Sequence, residues 1–221
     1  MFRLYLGVRL FFMLLFLTNI ADGFASEYNN CSDSNKSMEL WKEYLMDFEI
    51  KHWDQPPWTV FRQGDTNGEY ADFSENFLFT YAGGVFMSIN LLMNGEVESL
   101  EEFSLRLLAN LAWIDVAYNL FHEEAKTIFL FTHDAPNQAN ELFFLGLYDR
   151  LENLYHDMEF LLVHHTDSGD GGRIEKKYND VKNLSVLAVE GTLWPPLQMT
   201  IIFRGGKPRI ELDQNWETQL T

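Results

Sequence analysis

The stretch TIFLFTHDAP, Thr127–Pro136, runs from six residues suited to a buried strand into an abrupt polar ending. Its first part is aromatic and β-branched with no polar alternation, which predicts a strand covered on both faces. His133 and Asp134 then follow, and Pro136 has no N–H to lend to a ladder. In open α/β sheets, groups that do chemistry collect beyond the carboxyl ends of the strands, so this ending marks where a site belongs.

The flanking sequence repeats the pattern. A second apolar run, Glu159 to Val163, leads into His164-His165-Thr166-Asp167-Ser168, and the spacing predicts a helix from Asn140 to Tyr155 between the two strands. Further strands are expected at Leu184–Val189 and Leu197–Phe203, with Gly205-Gly206 turning into Arg209–Leu212. Upstream, Asn76–Tyr81 and Val85–Leu92 around Ala82-Gly83-Gly84 read as a hairpin. From Val97 to Phe121, Leu100, Phe103, Leu107, Leu111, Ile114 and Tyr118 fall on one helical face behind an acidic first turn. Ser37–Glu49 reads as an amphipathic helix and Lys51–Asp72 as loop. Strands alternating with helices imply an α/β fold with helices outside a layered sheet.

The chain has 221 residues, enough for one well-filled core. Its formal charge of -17 repels phosphate backbones, and no basic patch offers a nucleic-acid surface. Residues 1–25 read as a signal peptide: Arg3 and Arg9 precede an apolar run from Leu10 to Ile20, with small residues near Ala25. That run is too short for a stable membrane span, so the expectation is a secreted or endomembrane-lumen protein, with an anchor by an uncleaved leader as the alternative. The domain then covers 26–212, and 213–221 is a tail. Asn30, Asn35 and Asn183 each open a glycan-acceptor tripeptide. Cys31 is the single cysteine, so no internal disulfide forms.

Neutral imidazoles with oxygen ligands are the usual donors to transition metals, and rigid strand ends hold them with little freedom. His133, His164 and His165 are therefore the candidate metal ligands, with Asp134 and Asp167 beside them. A capping or hydrogen-bonding role competes with ligation at each. His52, His122 and His156 read as structural or solvated. Asp167–Gly172 reads as a turn rather than a phosphate loop, and no catalytic residue is assigned. Trp53 and Trp58, in a proline-containing loop, are the pair to inspect for binding.

The order of strand-Thr-His-x-x-Pro (Ile128–Pro136), helix, strand-His-His (Phe160–His165), Val186–Glu190 and Trp194-Pro-Pro-Leu-Gln-Met-Thr200 resembles the second half of a calcineurin-like metallophosphoesterase. Upstream, Tyr28–Cys31, Leu40–Tyr44, Arg62-Gln63, Glu75–Phe77, Gly84–Phe86 and Asn90-Leu91 are similar to one branch of that family, so the likeness runs from Glu27 to Pro208. The resemblance implies a four-layer α/β/β/α sandwich, partial here, around two divalent ions such as Fe, Mn or Zn that activate water against a phosphate ester. It matches His133 to the mid-chain ligand and Glu27 to the acidic end of an earlier motif, while Thr166 and Ser168 stand where late ligands belong. The first two ligand motifs fall in the leader and are missing.

Two bridged ions need about four ligands each. The expectation is accordingly a degenerate or truncated homologue, weak or inert toward phosphate esters, with no metal necessarily retained and with a protein partner covering sheet surface left bare by the missing strands. Two alternatives stay open: an active dinuclear phosphoesterase whose given N-terminus is incorrect, and a non-catalytic secreted binding module.

Overall fold

The computed structural model describes residues 4–5, 58–66, 68–91, 100–132, 134–166, 173–176, 181–190, 198–204 and 207–213. Within them the elements are β1 (Leu4–Tyr5), β2 (Phe61–Arg62), a single 3-10 turn (Gln63–Asp65), β3 (Phe77–Tyr81), β4 (Gly84–Ser88), α1 (Leu100–Phe121), β5 (Thr127–Thr132), α2 (Glu141–Asn153), β6 (Glu159–Thr166), β7 (Arg173–Lys176), β8 (Leu184–Glu190), β9 (Gln198–Arg204) and β10 (Lys207–Asp213). The expected helix at Ser37–Glu49 lies outside the described residues.

Seven strands form one mixed sheet in the order β2-β3-β4-β5-β6-β8-β7, and β1, β9 and β10 form a second. β4, β5, β6 and β8 run parallel, with α1 crossing from β4 to β5 and α2 from β5 to β6. β5 lies in the middle of the large sheet. All six of its residues are buried, which is why TIFLFT carries no polar alternation.

Side-chain parity divides the core in two. Leu78, Val85, Met87, Ile128, Leu130, Phe160, Leu162 and Val186 pack against Phe103, Leu107, Leu111, Ile114, Phe143 and Leu147 of the two helices. Phe77, Phe79, Phe86, Phe129, Phe131, Leu161, Val163, Leu187 and Val189 face the other way, toward Met199 and Ile201 of β9. The described residues therefore build a mixed α/β fold of three layers: helices, large sheet, small sheet. On the small-sheet side, rings stack in register across neighbouring strands: Trp58 on Phe79 at 5.1 Å, Phe79 on Phe86 at 5.2 Å, and Phe86 on Phe129 at 4.6 Å. Each fully buried ring contributes about 2–3 kcal/mol through lost water contact. Trp58, partly buried, thus packs against this side of the core. Trp53 lies outside the described residues.

The β3–β4 hairpin closes with Tyr81 opposite Gly84, leaving Ala82 and Gly83 as a two-residue loop at φ 50 and 87. Positive φ at both positions matches the right-handed twist of the strands. Several boundaries differ from the sequence reading. The Lys51–Asp72 loop contains β2, whose two residues pair with β3. Leu100, expected on the buried face of α1, is 69% exposed because it sits in the first described turn, ahead of the packed part. β6 continues through Thr166, since β8 supplies partners up to Glu190. β7 was not expected. It pairs antiparallel with β8 on the side away from β6. Asp167–Gly172, read as a turn, lies outside the described residues.

Among the described residues the large exposed apolar side chains are Phe61 on the edge strand β2 and seven leucines on or next to α1 and α2, including Leu108, Leu142 and Leu145. Among the described residues apolar exposure is thus concentrated on the helical layer. No helix among the described residues is long and apolar enough to cross a membrane.

Candidate functional site

The carboxyl ends of β4, β5, β6 and β8 form one edge of the large sheet, where the crossovers depart. Ile89 donates its N–H to Phe131 O at 3.1 Å, which extends the β4–β5 ladder one residue toward this edge. Beyond β5, Thr132 Oγ1 donates to Asp134 O at 2.9 Å. Asn137 Oδ1 then accepts the N–H groups of Ala139 and Asn140, and Asn140 returns bonds to Asn137 N and Ala135 O. These side-chain contacts shape the Asp134–Asn140 turn that leads into α2.

His133, the central candidate, lies outside the described residues. His164 sits in β6 directly between Thr132 of β5 and Ala188 of β8. It is 8% exposed, and it shares strand parity with Phe160 and Leu162, which face the helices. The strand rather than a free loop therefore holds it, turned to the helical side of the sheet. His165 pairs through its backbone with Val189. Its side chain lies outside the described set, as do Glu27 and Asp167.

Among the described residues no three His, Cys, Asp or Glu side chains come together to hold a metal. Asp134 Oδ2 instead receives an amide N–H from Asn137 at 3.5 Å. The other described histidines lie apart from this edge. His122 stacks on Tyr118 at 5.0 Å with Nδ1 3.1 Å from Tyr118 O, and His156 is exposed in the turn before β6.

At the β3–β4 end the same edge carries a cluster that residue types alone did not single out. Asn76 Nδ2 donates to Gln63 Oε1 and to Asn110 Oδ1, both at 2.7 Å, while its Oδ1 accepts from Asn90 N at 2.9 Å. Asn110 Nδ2 donates to Asn90 O at 2.7 Å, and Gln63 Nε2 to Ala109 O at 2.9 Å. Each of the three side-chain amides, from Gln63, Asn76 and Asn110, both donates and accepts. Beside them Arg106 bonds Glu75 and lies 5.1 Å over the Phe73 ring. The backbone approaches closely here too, because a Cβ on Gly64 would come within 2.7 Å of Ser74 Cβ. Three of the short motifs behind the family resemblance, Arg62-Gln63, Glu75–Phe77 and Asn90-Leu91, meet in this cluster. The available signal was Asn110, an amide in the middle of an apolar helical face, a position that requires partners.

Across the helical layer, Asp115 on α1 takes a two-pronged ion pair from Arg150 on α2, Nε and Nη2 each at 2.9 Å. Tyr155 donates its O–H to the same carboxylate. Burial first, then that bond, raises the Tyr155 phenol above its ordinary value near 10, with Arg150 opposing. Of the acceptor asparagines, Asn30 and Asn35 lie outside the described residues. Asn183 is described, and its amide nitrogen is surrounded by main-chain carbonyls.

No protein-family model matches this chain, and no curated protein matches it.

Proposed function

We propose that this chain is a metallophosphoesterase-like domain of the secretory route that has shed most of its metal ligands and does not hydrolyse phosphate esters efficiently. The reading rests on the likeness between Glu27 and Pro208, and on one structural observation above all. The Thr132 end of β5 and His164 of β6 stand side by side at the carboxyl edge of a sheet that has helices on one face and a second sheet on the other. The family's sandwich adds a fourth, helical layer outside the second sheet, and the proposal includes it.

The chemistry follows from ligand number. A dinuclear centre lowers the pKa of a bound water and neutralises the phosphoryl charge, and both effects vanish when the ions are not held. With Thr166 and Ser168 at the positions where the resemblance expects late ligands, this edge offers too few donors to hold two ions, and the electrophile goes with them.

The deciding experiment measures tightly bound metal on the purified chain, together with turnover of an aryl phosphate ester in the presence of added Fe, Mn or Zn. Less than one equivalent of metal and turnover at the level of the blank are expected. Two firmly held ions with ordinary turnover would overturn the proposal and favour the active phosphoesterase.

A further inference from the structure

Asn183-Leu184-Ser185 has the composition of an N-glycan acceptor, yet the fold commits the nitrogen such a glycan would use. Asn183 Nδ2 lies 2.9 Å from Met158 O, 3.0 Å from Tyr155 O and 3.5 Å from Leu151 O. These carbonyls belong to the last turn of α2 and the chain leading into β6. The last carbonyls of a helix have no intrahelical donor and must find one elsewhere. Asn183 supplies it from a different part of the chain, and its own carbonyl accepts from Phe160 N at 2.7 Å. Leu184, the next residue, is 1% exposed at the start of β8. Asn183 is thus fixed at its side chain and its main chain, and it joins the entrances of β6 and β8.

We propose that Asn183–Ser185 is an acceptor site which folding closes, so that a glycan on Asn183 and the native α2–β6 turn exclude each other. Transfer forms a bond between Nδ2 and the sugar C1, breaks the C1–O bond to a lipid-linked pyrophosphate, and releases one amide proton. The amide has two hydrogens shared among three carbonyls, so the new carbon must take the place of a carbonyl and leaves at most one N–H to donate. The site is open only in the unfolded chain, where modification diverts the molecule from its native turn. This inference is independent of the phosphoesterase reading.

The test gives a purified oligosaccharyltransferase and its lipid-linked donor either the folded full chain or a synthetic peptide spanning 178–190. The peptide is glycosylated, and the folded chain stays unmodified at Asn183 under conditions that convert the peptide fully. In parallel, Ser185→Ala removes the acceptor signal but keeps the clamp, whereas Asn183→Gln removes the clamp. Asn183→Gln lowers the melting temperature by roughly 5 °C relative to Ser185→Ala. The proposal falls if the folded chain is modified as fast as the peptide with unchanged melting, if the peptide refuses the glycan, or if the two variants melt together.

Discussion

Two polar clusters anchor the helices of this protein, and they do so by opposite means. The cluster of Gln63, Asn76, Asn90 and Asn110 is neutral, built largely from amides, and pins α1 to the carboxyl edge of the sheet. The cluster of Asp115, Arg150 and Tyr155 is ionic and partly wet, and it ties α1 to α2 near their carboxyl ends. A closed amide network carries no charge to lose, so salt and pH leave it alone, while its burial makes every vacancy expensive. The ionic cluster depends on both salt and pH, but water relieves much of any damage done to it.

The sharpest way to break that comparison is Asn76→Ala. It strands Gln63 Oε1, Asn110 Oδ1 and Asn90 N together, and unmet buried partners cost about 1–3 kcal/mol each, so a loss of about 4 kcal/mol is expected by urea titration, unchanged in high salt. A loss under about 1 kcal/mol would mean that water enters and the network is not closed.

Tyr155→Phe comes next, at about 1.5 kcal/mol near neutral pH, because a buried phenol gives up a bond to a carboxylate. Its pH signature sets it apart from the amide variant. The native state keeps the Tyr155 proton where the unfolded chain releases it, so the contribution is full below about pH 10 and is lost as pH rises beyond it. Denaturation midpoints measured from pH 8 to 11 should fall for the parent chain and fall less for Tyr155→Phe. Parallel curves would refute the assignment.

The smallest effect belongs to Asp115→Asn. Its carboxylate and the Arg150 guanidinium are 34% and 24% exposed, so about 1 kcal/mol is expected at low ionic strength. The difference should shrink in 1 M salt, where charges are screened over about 3 Å. Salt independence would place Asp115 with the amide network instead.

Strands buried on both faces were the most legible part of the sequence. β5 falls at the expected residues, because a central parallel strand needs apolar side chains throughout and its ends are marked by polar residues. The hairpin loop was equally clear, since positive φ selects Gly83. β7 escaped notice because Arg173-Ile-Glu-Lys176 is short and charged, as an edge strand often is. The extension of β6 through His164 and His165 also escaped, because two histidines read as a loop until β8 provides a ladder for them. The gathering of Gln63, Asn76, Asn90 and Asn110 was hidden for another reason: their bonds span 13 to 46 residues of sequence, and no local pattern encodes such partners.

The sequence by itself determined the alternation of strands and helices, the hairpin, the acidic surface charge and the kinds of residue at the strand ends. These follow from hydrophobic period, backbone sterics and composition, which act over a few residues. Only the tertiary structure decided that His164 turns toward the helical layer, that Asn183 serves as a clamp for α2, and that the amides of three separate segments satisfy one another. A side chain's partners depend on which strands become neighbours and in which register, and sheet pairing fixes that between residues far apart along the chain.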